Sequence, residues 1–220
     1  MYMKNIVLIT SIIRTPNLPL SYTNTRSVYS PLDRFLQTKY TIETVKNKIP
    51  NSYIILIECS HLNNDEMLYF NNNCDIVINL FNDIKCKHFI HSPSKAAGEG
   101  TMTIKALEYI INNNIKFDNF FKISGRYYLN NDFNINNYIN NYNVVKKTDS
   151  ISINTSFYKL NYSFIQPFQI FLINNYPLMK KCIGYEMLFK NFIDVISVVK
   201  YINNLGCSGN IAVSGELVSA

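Results

Sequence analysis

Short apolar segments alternate with helical segments along the first part of the chain, and this alternation limits the possible folds more than any other feature. Buried strands and helices are predicted, in chain order, over residues 4–13, 31–49, 53–57, 63–70 and 75–80. Ser30 and Pro31 are typical of a helix start, as cap and first helical residue. This strand–helix succession predicts an α/β protein with an open, mostly parallel sheet flanked by helices and right-handed crossovers.

The composition is that of a globular protein, with 47% hydrophobic and 16% charged residues in a chain of 220. We find no linker and no internal repeat, so we expect one domain over residues 1–220. The net charge of +6 is scattered along the chain, which suits an anionic small ligand and does not by itself indicate nucleic acid. Five cysteines without a CxxC pair indicate reduced thiols and a cytoplasmic protein, and no apolar run is long enough for a membrane span.

The segment FFKISGRYYLNND, residues 120–132, combines an apolar strand with a small-residue turn and a cation. Ligands bind at the carboxyl edge of open α/β sheets, and the strand ends at Ser124 and Gly125. Arg126 directly after the turn could fork onto a phosphate or carboxylate, and Tyr127 would add a flat face and a hydroxyl. The alternative is a surface turn in which the arginine is solvated or salt-bridged.

A second candidate is the small-residue segment SKAAGEG, residues 94–100, directly before a predicted helix over residues 101–111. A glycine-bearing loop at a helix N-terminus, carrying a lysine, can cradle a phosphate. It matches neither the Walker pattern nor GxGxxG, and a simple capping loop is the alternative. Cys86, His88 and His91 suggest zinc but lack a fourth ligand and a known spacing, so we do not favour a metal there.

Polar residues also mark the first two strand–helix units. The long loop over residues 15–30 carries Arg26, and loops of this length are usually functional or disordered. Arg34, Gln37 and Thr41 form one polar stripe on the first helix, for which a solvated face is the simple interpretation. Glu58 ends the second strand, where a carboxylate is either exposed at the sheet edge or bound to something.

The later part of the chain gives weaker patterns. We predict a strand over residues 150–158, an aromatic-rich strand or pocket wall over 163–173, a long helix over 183–203 and a short strand over 210–213.

Several strings resemble a family of glycosyltransferase-like proteins found in bacteria and large DNA viruses. They are TxRSxxSxxxRFxQTxxTIxxVxxxIPNSxIILIExS over residues 23–60, the Lys-x-x-Gly-Glu segment at 95–99, FFKISGRYYL at 120–129 and the closing SGNIAVSGE. The resemblance implies the GT-A fold of nucleotide-diphospho-sugar transferases, with a nucleotide sugar as donor and a glycan or other hydroxyl acceptor. It also implies that residues 12–27 contact the nucleotide.

The resemblance further implies the residues of a donor site and of catalysis. The donor-binding residues would be Arg14, Thr15, Arg26, Lys95, Gly98, Ser124, Gly125, Arg126 and Tyr127, with Glu186, Glu58 and Glu99 as candidate catalytic bases. The chain departs from many GT-A enzymes because it has no Asp-x-Asp pair to hold the divalent metal, and Asp132 is the nearest acid to the Ser-Gly-Arg turn. Either basic residues neutralise the diphosphate, or a manganese or magnesium ion is held differently, or catalysis has been lost.

Three functions therefore remain open from the sequence. The leading hypothesis is a glycosyltransferase that uses a nucleotide-diphosphate sugar. A non-catalytic protein of the same fold that binds a nucleotide or glycan is the alternative favoured by the missing Asp-x-Asp. A nucleic-acid-associated protein would suit the positive charge, but the sequence has no block of lysines and arginines, so we expect no nucleic-acid partner.

Overall fold

A central sheet of seven strands organises the structure, a computed structural model that describes residues 4–220. The strand order is β3-β2-β1-β4-β7-β6-β8. Among the described residues, β7 is the only strand of this sheet that runs antiparallel to its neighbours. The strands are β1 (Asn5–Ser11), β2 (Ser52–Glu58), β3 (Ile76–Asn79), β4 (Asn119–Ser124), β6 (Asn143–Val145), β7 (Phe157–Asn161) and β8 (Val199–Tyr201). This confirms the prediction of an open, mostly parallel sheet.

Helices cover both faces of the sheet. They are α1 (Pro31–Lys48), α2 (Asn64–Asn73), α3 (Ile84–Ile90), α4 (Lys95–Asn112), α5 (Ile165–Lys180) and α6 (Tyr185–Val195). On one face, Ile42 and Val45 of α1 share a buried core with Val7 of β1. On the other face, Leu107 of α4 shares a second core with Leu8, the next residue of the same strand. Successive side chains of β1 thus face opposite layers, which explains its uninterrupted apolar sequence.

The strand β1 is the centre of the fold, because it pairs in parallel with both β2 and β4. Ile9 stands opposite Leu56 on one side and Ile123 on the other, and all seven residues of β1 are buried. From β1 the chain builds outward through β2 to β3 and then returns to place β4 on the opposite side. The strand order therefore reverses between β1 and β4, and such a reversal leaves a crevice at the carboxyl ends of the two strands.

A small antiparallel sheet lies beside this crevice. Its strands, in the order β10-β9-β5, are β5 (Tyr127–Leu129), β9 (Cys207–Asn210) and β10 (Leu217–Ser219). The sheet packs on α1, where the Thr41 hydroxyl donates a hydrogen bond of 2.6 Å to the Tyr127 carbonyl. The segment that closes the sequence is thereby brought next to the Ser-Gly-Arg turn, which precedes β5.

Five sequence predictions about the later elements and α4 were wrong in detail. Residues 163–173 are helical, since the buried side chains Ile165, Phe168 and Leu172 of α5 follow a helical spacing that the many aromatic residues obscured. The predicted long helix ends at Val195, and β8 follows it after Val198, whose φ of 63° does not continue a helix. The predicted strand over residues 150–158 begins only at Phe157, and the short strand predicted over 210–213 ends at Asn210.

The fifth difference concerns the glycine-bearing segment before α4. It is not a loop, because α4 begins at Lys95 and Ser94 caps it by accepting a hydrogen bond from the Ala97 amide at 3.1 Å. A Cβ at Gly98 would lie 3.2 Å from the Ile90 carbonyl oxygen, so the missing side chain lets α4 approach the end of α3. The glycine therefore serves helix packing, which the sequence pattern did not distinguish from a phosphate loop.

No helix among residues 4–220 is long and apolar enough to cross a membrane. The extent of the domain, residues 1–220, remains a prediction from the sequence.

Two glycines with positive φ provide a test of the small sheet. Gly206 has φ of 71°, and a Cβ there would lie 2.3 Å from the Phe133 Cα, whereas a Cβ at Gly215, with φ of 78°, would meet nothing closer than 3.4 Å. We expect Gly206→Ala to lower the free energy of unfolding by about 3 kcal/mol, because backbone strain and overlap add. Gly215→Ala should cost about 1 kcal/mol. Urea denaturation measures both, and equal losses would contradict the close contact.

Candidate anion-binding site

A cavity of about 410 Å³ opens at the reversal of strand order. Its floor is formed by Thr10 and Ser11 at the end of β1 and by Ser124 at the end of β4, and its walls by the start of α4 and by residues 211–213 between β9 and β10. Ligand sites in α/β proteins have volumes on the order of 300–1,000 Å³ and lie at this position in the sheet. The cavity is therefore the principal candidate site of the described residues.

Positive charge is concentrated in this cavity. Five cationic side chains and two carboxylates line it, namely Arg26, Arg34, Lys95, Lys122, Arg126, Glu99 and Glu186. The chain has only four arginines, and three of them are in this set. The fourth, Arg14, points away and forms a bidentate pair with Glu66 at 2.7 and 2.9 Å. Arginine is rare in this chain compared with lysine, and most of its arginines lie at this one site.

The two cavity lysines are neutralised by the two cavity carboxylates. The ammonium of Lys122, a residue only 1% exposed, lies 2.5 Å from Glu99 and donates a second hydrogen bond to the Thr155 carbonyl at 2.8 Å. The Lys95 ammonium lies 3.2 Å from Glu186 in a more open part of the cavity. Within each pair the positive and the negative charge cancel. The excess positive charge of the cavity therefore comes from the arginines.

The three cavity arginines are held by main-chain carbonyls and not by acids. Arg34 donates from Nε to the Ile12 carbonyl at 2.5 Å, and Arg126 donates from Nη1 to the Asn210 carbonyl at 2.6 Å. Arg26 donates to the carbonyls of His91, at 3.0 Å, and Ser92. No carboxylate of residues 4–220 lies within 4.0 Å of any of these guanidinium groups. Carbonyls fix the position of a cation but compensate its charge only in part.

Burial of these charges changes their acid–base equilibria. Burial, together with the nearby charge of Arg126, lowers the pKa of Arg34 to about 9. Burial also lowers the pKa of Arg126 and of Arg26. A lowered pKa means that the surroundings disfavour the charged form, so a bound anion would relieve an unfavourable state of the free protein.

The Ser-Gly-Arg turn is held in place by α1. The Thr38 hydroxyl lies 3.1 Å from the Gly125 carbonyl oxygen and 3.0 Å from the Ser11 hydroxyl. A Cβ at Gly125 would approach both Ser11 and Thr38 to 3.1 Å, which explains a glycine at this point of the turn. The interpretation of the α1 stripe as a solvated face was wrong, because Arg34 and Thr41 are buried between α1 and the two sheets. The stripe is polar because it supports the site.

Of the three candidate bases, Glu186 and Glu99 line the cavity and Glu58 does not. Burial raises the pKa of Glu186, but the charge and hydrogen bond of Lys95 outweigh that effect, so the net shift is downward and the carboxylate is ionised at neutral pH. Glu58 is fully buried, and burial raises its pKa. It accepts hydrogen bonds from the Ile13 amide at 3.1 Å and the Ser60 hydroxyl at 2.6 Å. Glu58 thus fixes the chain beside Ile12, whose carbonyl holds Arg34.

The structure brings most of the predicted donor-site residues together. Those that line the cavity are Thr15, Arg26, Lys95, Gly98, Ser124, Arg126 and Tyr127, whereas Arg14 and Gly125 do not line it. Sequence reasoning missed Lys122 and did not assign Arg34 to the donor site. A single lysine within the apolar strand FFKIS was a usable signal, since a buried ammonium requires a partner.

The divalent metal of many GT-A enzymes does not fit the residues present. The two cavity carboxylates each bind a lysine, and Asp132 is exposed, outside the lining, with its carboxylate 3.3 Å from the Asn204 amide. The described part of the chain contains no group of three or more histidine, cysteine, aspartate or glutamate residues placed to hold a metal ion. We therefore derive no catalytic step through a metal.

Comparison with known proteins identifies the fold. No protein-family model and no curated protein sequence matches the chain. The apo form of the glycosyltransferase GlyE from Streptococcus pneumoniae TIGR4 aligns with a TM-score of 0.52 and 9% identity, covering 91% of this chain and 45% of that one. A second GlyE structure gives 0.50 with the same identity and coverage. A glycosyltransferase involved in glycosylation of the major capsid of PBCV-1 aligns at 0.48 with 12% identity, over 91% of this chain and 82% of the other.

The GlyE alignments confirm the expected GT-A-type fold. The chain spans less than half the length of GlyE, so the activity of that whole protein is not transferred to it by the alignment.

The buried Lys122–Glu99 pair gives a test of the site architecture. We expect Lys122→Met and Glu99→Gln each to lower the free energy of unfolding by about 3 kcal/mol, because each leaves one buried charge without its partner. The double variant should lose clearly less than the sum, since neither charge remains.

Urea denaturation of the unmodified protein, the two single variants and the double variant gives the coupling energy between Lys122 and Glu99. Lys105→Met, which removes one partner of an exposed pair with Glu108, is the control and should change stability by about 0.5 kcal/mol or less. Additive losses in the double variant would mean that the two groups do not interact.

Proposed function

We propose that this protein is a glycosyltransferase that moves a sugar from a nucleotide-diphosphate donor to a hydroxyl group of a glycan or another acceptor. One observation carries the proposal: three of the four arginines of the chain line one cavity at the reversal of strand order, and none of the three has a carboxylate within 4.0 Å among residues 4–220. Arrays of fixed cations in a crevice at this position suit a diphosphate. The GT-A-type fold supports the same conclusion.

In this proposal, Arg34 and Arg126 bind the diphosphate of the donor. Their guanidinium groups project from the two elements that flank the crevice, α1 and the turn after β4, and the charge of Arg126 is close enough to lower the pKa of Arg34. Two negative charges between them would offset this mutual repulsion. When the bond between the sugar and the diphosphate breaks, the departing oxygen gains negative charge, and fixed cations stabilise that charge in the transition state.

Glu186 is the proposed general base. Its carboxylate is ionised at neutral pH, it lies in the more open part of the cavity, and Lys95 at 3.2 Å fixes its position. It would take the proton of the acceptor hydroxyl while the acceptor oxygen attacks the anomeric carbon. The new bond forms as the bond from that carbon to the diphosphate breaks, which releases the nucleoside diphosphate. Glu99 is the second candidate for this role.

Donor binding can be tested with Arg126→Met. We expect titration calorimetry against UDP-, GDP- and dTDP-sugars to identify a donor, and Arg126→Met to weaken its binding about tenfold or more, because a charged hydrogen bond to phosphate is lost. Binding should persist in EDTA. Lys181→Met removes the same charge from an exposed site outside the cavity and is the matched control.

The pH dependence of binding gives a second measure of the same site. Burial and the nearby charge of Arg126 lower the pKa of Arg34 to about 9, so we expect donor affinity to fall as the pH is raised above that value. Binding that requires manganese or magnesium, or that Arg126→Met leaves intact, would contradict the proposed diphosphate site. No binding of any nucleotide sugar would contradict the proposed function.

The role of the base can be tested with Glu186→Gln. We expect turnover to fall by about 10²–10⁴-fold, because a general base contributes that much to rate. Donor affinity should not decrease, since the variant removes a negative charge from the cavity. Release of nucleoside diphosphate, followed with a panel of simple glycoside acceptors, measures turnover.

Glu99→Gln is the comparison variant within the cavity, and Glu108→Gln is the surface control. A large loss in Glu99→Gln together with normal turnover in Glu186→Gln would reverse the assignment of the base.

A further inference from the structure

The arginines of the cavity provide more positive charge than is needed to bind the diphosphate of a donor whose sugar is uncharged. A nucleoside diphosphate esterified to a sugar keeps one ionised oxygen on each phosphorus, and therefore carries two negative charges near its reacting bond. Both cavity lysines are already paired with glutamates, so three unpaired guanidinium groups face two charges. One positive charge remains without a counterpart.

Arg26 is the arginine that the diphosphate leaves unpaired. The charge of Arg126 lowers the pKa of Arg34, and the two residues extend from elements beside the carboxyl ends of β1 and β4. Arg26 instead belongs to the long loop before α1 and is tied to the carbonyls of His91 and Ser92, just after α3. It therefore belongs to the part of the lining that the loop before α1 and the segment between α3 and α4 hold in place.

The anchoring of Arg26 leaves it able to bind a further group. Two of its five N–H bonds are used on main-chain carbonyls, one from each terminal nitrogen, and the other three have no hydrogen-bond partner among residues 4–220. The side chain is half-buried and its pKa is lowered by burial, so its charge is not fully satisfied by water. A planar, fixed guanidinium of this kind matches the geometry of a carboxylate.

The two carboxylates of the cavity do not compete for this arginine. Lys95 at the start of α4 is paired with Glu186, and Glu99 is paired with Lys122. The neutral side chains Leu20 and Tyr22, from the same loop as Arg26, complete this part of the lining. A group that binds Arg26 must therefore bring its own negative charge.

We propose that Arg26 binds a carboxylate on the transferred sugar, so that the donor is a nucleotide-diphosphate ester of an acidic sugar of the uronic acid class. This inference rests on the proposed glycosyltransferase function. Arg34 and Arg126 then bind the diphosphate, and Arg26 selects the sugar.

Matched donors that differ only in the carboxylate test the proposal on the unmodified protein. The pairs are UDP-glucose with UDP-glucuronate, GDP-mannose with GDP-mannuronate and dTDP-glucose with dTDP-glucuronate. For the nucleotide that binds, we expect the acidic donor to bind about 10- to 100-fold more tightly, the range of one charge-assisted hydrogen bond. Titration calorimetry at one fixed salt concentration measures both members of each pair.

Variants at Arg26 assign the preference to this side chain. Arg26→Met should reduce the affinity ratio between the acidic and the neutral donor to about one, and Arg26→Lys should retain part of it because the charge remains. Lys181→Met, which removes a surface charge, should leave the ratio unchanged. The melting temperature of each variant without ligand shows whether it is folded.

The possible outcomes separate this inference from the proposed function. Equal affinities within a pair that binds, a preference for the neutral donor, or a ratio that Arg26→Met does not change would overturn the assignment of Arg26 and leave the glycosyltransferase proposal standing. Failure of all six nucleotide sugars to bind would overturn both.

Discussion

The burial of guanidinium groups without acidic partners is the constraint on which the rest of this structure depends. A charge removed from water is unfavourable unless other groups compensate it, and main-chain carbonyls compensate only in part. Arg34, Arg126 and Arg26 persist in this state because each is tied to a rigid part of the fold, at Ile12, Asn210 and the end of α3. These buried charges therefore make an unfavourable contribution to the free energy of folding, and the stability of the surrounding sheet and helices offsets that contribution.

The fold supplies this rigidity through the two sides of β1. Fully buried and paired in parallel on both edges, β1 fixes the position of the crevice, while α1 carries Arg34 and the Thr38 hydroxyl that holds the Ser-Gly-Arg turn. Glu58 acts indirectly. It accepts a hydrogen bond from the Ile13 amide and so fixes the segment whose carbonyl, at Ile12, accepts a hydrogen bond from Arg34. Thr38 and Glu58, which are distant in the sequence, therefore support the site without lining the cavity.

Much of this arrangement follows from local sequence patterns, and the rest does not. Strands β1 to β3, helix α1 with its cap at Ser30, and the turn before Arg126 were predicted, because burial and capping leave periodic or positional signals. Helix α5 and the small sheet were not, since aromatic richness is shared by strands and buried helices, and strands of three or four residues carry little pattern. The pairing of Lys122 with Glu99 and the isolation of the arginines depend on distances between elements, which no single segment encodes.

A crevice whose cations stand in place before any ligand arrives attracts every phosphate-bearing solute in its surroundings, not only its substrate. Charge then governs how fast anions arrive, and it cannot distinguish a nucleotide from inorganic phosphate or from its own released product. Discrimination between these phosphate compounds must come from other parts of the lining, which include the aromatic residues Tyr22 and Tyr127 and the hydroxyl-bearing residues Thr10 and Ser11. Differences in donor choice between proteins of this fold would therefore depend on these side chains and on Arg26, while Arg34 and Arg126 keep the common role of binding phosphate.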